Sequence, residues 1–139
     1  MCDFTPIAHF DWSNFVTDLP TGDQSKGKEL YEVIYGCAAC HGDPRIEGSN
    51  AVGPWSGNFK NLDDRKVGYA AADYVYESIL NPSAFLSPDC PTGPCSGPPS
   101  AMPDNFGMRM SYQDIADIMA YLGVDPQESN GVEIIYPQE

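Results

Sequence analysis

Polar and apolar positions along the chain alternate with a helical period in three places and show no strand period over any useful length. The clearest pattern is Ile115, Ile118, Met119 and Leu122, one apolar stripe on a helix of 3.6 residues per turn. Ser111 and Asp114 stand three apart as a capping pair before it, and Gly123 with Asp125-Pro126 ends it,. A second helix is predicted from Ala71 to Leu80, stopped by Asn81-Pro82, because the residue before a proline is driven out of the helical region. The earliest helix is predicted to start at a Thr21/Gln24 capping box, with Leu30, Ile34 and Cys37 on one face and Gly36 as its stop,.

The intervals read as loops. Residues 42–68 carry Gly42, Pro44, Gly48, Gly53, Pro54, Gly57 and Gly68, and a proline-rich stretch runs from Pro82 to Pro103,. Residues 1–20 have no clean period but hold Phe4, Phe10, Trp12 and Phe15, an aromatic content that predicts a segment laid against the core. The division expected is therefore an N-terminal extension (1–20), one helical domain (21–124) and an acidic tail (125–139).

Length changes this picture: 139 residues with thirteen Gly and thirteen Pro make a loop-rich single domain that has difficulty burying enough apolar surface unaided. A large apolar prosthetic group would make up the deficit. Charge narrows the partners. The net charge is −13, and residues 1–25 and 125–139 carry four carboxylates each with no Lys or Arg. Nucleic acid is excluded as a partner, since no basic face exists to displace its counterions. The acidic surface suits either plain solubility or steering toward a partner with a basic docking patch. No apolar run approaches the roughly 20 residues of a membrane span, and no secretory signal is visible.

The chemistry lies in Cys37-Ala38-Ala39-Cys40-His41. Two thiols separated by two residues can each form a thioether with a vinyl group of one haem, and the adjacent His can take the iron from one side. The rival readings are a redox C-x-x-C, which wants a βαβ setting, and half a zinc site, which wants a second ligand pair. Neither context is present. Haem of this kind is attached outside the cytoplasm, so an extracytoplasmic location follows, and the chain is expected to be a processed form without its leader.

Gly27-Lys28-Glu29-Leu30-Tyr31 leading into Cys37–Gly42, then Tyr76-Glu77-Ser78-Ile79-Leu80-Asn81-Pro82, Ala101-Met102-Pro103 and Ile115 to Leu122, resemble bacterial class I cytochromes c over residues 21–124. The likeness is greatest to the cytochrome c domains associated with haem-copper oxidases and with quinol-oxidising membrane complexes. It implies an all-α fold in which the first and last helices cross around one covalent haem c, with Gly27 admitting Tyr121 at the crossing. It also implies Met102 as the second axial ligand and Pro54 as the residue whose carbonyl accepts a hydrogen bond from His41. Read from the residues alone, Met108, Met110 and His9 remain candidates for that second ligand.

The resemblance implies a one-electron carrier, not an enzyme, serving a membrane oxidase or quinol-oxidising complex in a respiratory or photosynthetic chain. A small peroxidase, a sulfur-oxidising haem enzyme and a gas sensor are the alternatives. Cys90 and Cys95 flank Pro91-Thr92-Gly93-Pro94, and in an oxidising compartment a disulfide is the default, contributing about 2 kcal/mol by loop closure. The family commonly lacks this pair. Cys2 is left over and reads either as the lipid-bearing N-terminus of a membrane-anchored lipoprotein or as an unmodified residue. Cys2, the aromatic segment and the acidic tail favour a tethered subunit over a free shuttle.

Overall fold

Ser111 Oγ accepts a hydrogen bond from Asp114 N–H at 3.0 Å while the Asp114 carboxylate accepts from Ser111 N–H at 3.2 Å, so two of the orphan donors at the start of a helix are satisfied reciprocally,. That helix is α5 (Tyr112–Leu122), closed by Gly123 in the left-handed conformation. Ile115, Ile118, Met119 and Leu122 are all buried. The computed structural model describes residues 12–62, 66–97 and 99–135. Over these the chain is helical: α1 (Gln24–Glu29), α2 (Ala38–His41), α3 (Ala71–Leu80), α4 (Phe106–Arg109) and α5, with short 3₁₀ turns between them. No sheet is present among the described residues, and an isolated bridge joins Cys90 to Gly93.

α1 begins two residues later than the Thr21 cap would place it. Asp23 is the N-cap, its carboxylate accepting from Ser25 N–H at 2.8 Å and Lys26 N–H at 3.2 Å. Tertiary contacts set this register: Asp23 N–H donates to Asp117 at 2.8 Å, and Gln113 donates to the Thr21 carbonyl at 2.8 Å. α1 then crosses α5 at contact distance. A β-carbon on Gly27 would strike the Asp117 carbonyl and lie 3.0 Å from Tyr121 Cβ, and one on Gly22 would strike the Ala116 carbonyl.

The expected face Leu30, Ile34, Cys37 is broken by a π-turn over Leu30–Ile34, in which Tyr35 N–H reaches the Leu30 carbonyl at 2.9 Å. The additional residue in that turn rotates the stripe. Leu30 and Tyr31 are buried, Ile34 is half exposed, and Tyr35 takes its place against the core.

α3 runs through the interior with only Ser78 outside the buried set, which leaves two carboxylates to be satisfied away from water. Glu77 meets Lys66 Nζ at 2.7 Å and the Tyr69 hydroxyl at 2.9 Å. Asp73 accepts from the Ser129 hydroxyl, from Asn130 N–H at 2.9 Å and from Ala70 N–H at 3.0 Å. The second set of bonds revises the reading of 125–139 as an acidic tail. Over residues 124–135 it belongs to the body: Ile134 is fully buried, and its N–H and carbonyl both pair with Asn14. At the other end Trp12 is buried, donates to the Gly107 carbonyl at 2.7 Å and packs edge-on against Tyr112. Asp73→Ala should cost about 2 kcal/mol in urea unfolding, since three donors lose their acceptor, and should expose 129–135 to protease first.

Candidate haem-attachment site

Gly36, at φ 68°, turns the chain out of the first helix and delivers Cys37 to the start of α2. His41 N–H closes one helical turn onto the Cys37 carbonyl at 3.0 Å. Positions i, i+3 and i+4 share a helix face, so Cys37, Cys40 and His41 come off one side of this turn. Gly42, at φ 74°, then reverses the chain. Its carbonyl accepts from the buried Tyr31 hydroxyl and from Ser56 at 3.2 Å, and burial pushes the Tyr31 phenol well above its ordinary value.

The loop that follows folds back onto α2. Ala51 and Gly53 N–H both donate to the Cys40 carbonyl, at 3.0 and 3.1 Å. Asn50 donates to the Gly53 carbonyl and Trp55 to the Asp43 carbonyl, each at 2.8 Å. Gly53 lies flat on the imidazole, where a β-carbon would sit 2.8 Å from His41 Cε1.

This packing settles the state of His41. Its Nδ1 is 2.8 Å from the Pro54 carbonyl. A carbonyl only accepts, so Nδ1 carries the proton and Nε2 carries the lone pair. Burial lowers the His41 pKa, with the Pro54 bond opposing, which favours the neutral ring. Phe59 stands edge-on to it at 5.2 Å. A neutral imidazole with one nitrogen tied to a backbone carbonyl is the form in which His ligates a metal.

The two thiols are free. Cys37 is half-buried and Cys40 exposed. Burial pushes the Cys37 thiol up to about 11. A disulfide-exchange C-x-x-C depends on a depressed thiol pKa at its first cysteine, so Cys37 has the wrong sign for that chemistry. A zinc site needs at least three convergent ligands, and among the described residues no group of three His, Cys, Asp or Glu is so placed. Two thiols on one face beside an Nε2 donor fit a covalently held haem.

The candidates for the opposite ligand separate by environment. Met102 is half-buried, packed on the apolar core, with its N–H on Ser100 Oγ at 3.1 Å. Ser100 N–H in turn meets Ser83 Oγ at 2.9 Å, which ties off the base of the loop. Met110 is buried in the core and Met108 is 53% exposed. His9 and Cys2 lie outside the described residues. Cys90 and Cys95 form a disulfide with Cα atoms 5.0 Å apart, and Cys95 N–H anchors the small ring to the Ser87 carbonyl at 2.8 Å. Asn50, Ser56 and Trp55, which shape the loop over His41, carry no distinguishing signal in a sequence beyond their place near Gly53-Pro54. No helix among the described residues is long and apolar enough to cross a membrane. The chain matches no family model, no curated protein and no solved structure.

Proposed function

We propose that this chain is a one-electron carrier of the class I cytochrome c type. It would hold one haem c through thioethers to Cys37 and Cys40, with His41 and Met102 as axial ligands. The observation that carries the reading is the His41–Pro54 bond of 2.8 Å within a C-x-x-C-H turn, which leaves Nε2 as a fixed neutral donor. Bound there, the haem supplies a ferric/ferrous couple exchanging one electron. His41 would hold the iron through Nε2, its basicity raised by the Pro54 carbonyl on Nδ1,. Met102, as the other ligand, would favour the ferrous state, because a thioether is a poor ligand for the harder ferric ion. Crossing of α1 and α5 supports the class I architecture as the frame for that pair. If His41 and Met102 both held the iron, no position would remain for a substrate, and one-electron transfer would be the chemistry left.

The net charge of −13 suits docking to a basic patch on a membrane oxidase or quinol-oxidising complex, on the extracytoplasmic side, with Cys2 as an attachment point if it bears lipid. The test is an absorption spectrum of oxidised and reduced protein, with and without CO. The weak long-wavelength sulfur-to-iron band, with no change on adding CO, is expected. Ready CO binding without that band would move the peroxidase, sulfur-oxidation and gas-sensor readings ahead.

A further inference from the structure

Arg109 is the sole basic residue after Lys66; it is exposed, yet it lies over two aromatic rings beside the attachment turn. Its guanidinium carbon lies 5.3 Å from the Tyr35 ring centre and 5.4 Å from that of Phe106, with the two rings 6.1 Å apart and nearly perpendicular. The Tyr35 hydroxyl donates to Asp114 at 2.7 Å and sits 3.0 Å from the Arg109 carbonyl. Gly36 then reverses the chain between Tyr35 and Cys37. A cation over two aromatic rings is held near them by their π-faces.

Lys26, Lys28, Arg45 and Lys66 each pair with a carboxylate, whereas among the described residues Arg109 forms no ion pair. Its field reaches the attachment cysteine, where it opposes the burial that pushes the Cys37 thiol up.

We propose that Arg109 sets the reduction potential: clamped by Tyr35 and Phe106 next to Cys37, its positive charge stabilises the electron added to the haem. This rests on the electron-carrier reading above. Reduction would place one more negative charge on a haem held by Cys37, and a cation beside that cysteine would lower the free energy of that state against the repulsion of an acidic surface.

The experiment is a titration of the holoprotein against a redox dye of known potential, read at the reduced haem band, for the parent, Arg109→Gln, Arg109→Met and Arg109→Lys. Arg109→Gln should shift the equilibrium with the dye toward the oxidised protein about threefold, the scale of one exposed, solvent-screened unit charge near the redox group. By the 59 mV per tenfold of a one-electron couple that is about 28 mV. Arg109→Met, which keeps an apolar stem on the Tyr35 ring, should shift it equally. Arg109→Lys should restore most of the parent value, and the Gln shift should shrink in high salt. An unchanged potential in the Gln and Met proteins overturns the role of Arg109 while leaving the carrier reading in place. Equal shifts in Lys and Gln proteins assign the effect to packing and overturn it too. A parent protein without covalent haem sinks the carrier reading itself.

Discussion

Gly27→Ala is expected to destabilise the protein by about 3 kcal/mol or more in equilibrium urea unfolding. Helix propensity alone predicts the opposite sign, since alanine in a helix interior is favoured over glycine by up to about 1 kcal/mol. The crossing decides the matter. A β-carbon at Gly27 would overlap the Asp117 carbonyl oxygen, lie 2.6 Å from its carbon and stand 3.0 Å from Tyr121 Cβ. The first two are backbone of α5 and cannot swing aside as a side chain would. Relief requires α1 and α5 to separate, and separation strains the bonds that pin them, Asp23 N–H to Asp117 and Gln113 to the Thr21 carbonyl. It also loosens Leu30 and Tyr31 against the buried stripe of α5,. Because Tyr31 carries the Gly42 carbonyl, the His41 loop should lose order along with the crossing. A variant as stable as the parent would show that the helices do not approach this closely.

Helices governed by local rules are legible in the sequence. α3 and α5 start and stop where Asn81-Pro82, Ser111 and Gly123 say they should, since caps and proline act within one turn,. α1 is less legible, because Asp117 and Gln113 select its first residue from some ninety positions away. The π-turn at Leu30–Ile34 is invisible to a periodicity argument that assumes a constant 3.6 residues per turn,. The C-terminal segment misleads for another reason. Its acidic composition suggests solvent, but Ile134 is buried, and Ser129 and Asn130 serve the Asp73 carboxylate inside α3. A buried carboxylate needs donors, and composition does not say where they come from.

At the candidate site, the thiols and His41 are legible from spacing because the attachment chemistry needs adjacent residues. The loop that orients His41 is a tertiary arrangement in which Asn50, Gly53 and Trp55 donate to backbone carbonyls, Gly53 lies on the ring face, and the Gly42 carbonyl takes the Tyr31 and Ser56 hydroxyls. No residue type is specific to such contacts. Arg109 is similarly silent in sequence, since its meaning depends on Tyr35 and Phe106 flanking it.

Three methionine substitutions separate ligand from packing residue, and Met102→Ala should have the largest effect on the proposed couple. Met102 sits half-buried on the core, at the tied-off base of its loop, with Pro103 restricting the backbone behind it,. Its removal is expected to abolish the sulfur-to-iron band, admit CO and lower the reduction potential by on the order of 0.2 V, a fraction of the roughly 0.8 V that axial ligands span. Met110→Ala should do none of this and cost about 2–4 kcal/mol of stability, as a buried side chain whose loss leaves a cavity,. Met108 is 53% exposed, and its alanine variant should match the parent in both respects,. The pattern is diagnostic because it crosses two readouts. If Met102→Ala keeps its band and potential while Met110→Ala loses both, the ligand lies in the link between α4 and α5, and the Ser83–Ser100 tie is merely structural. If the parent protein lacks the band and no single methionine changes its spectrum, ligation passes to His9, and the potential should then be low in the parent protein as well.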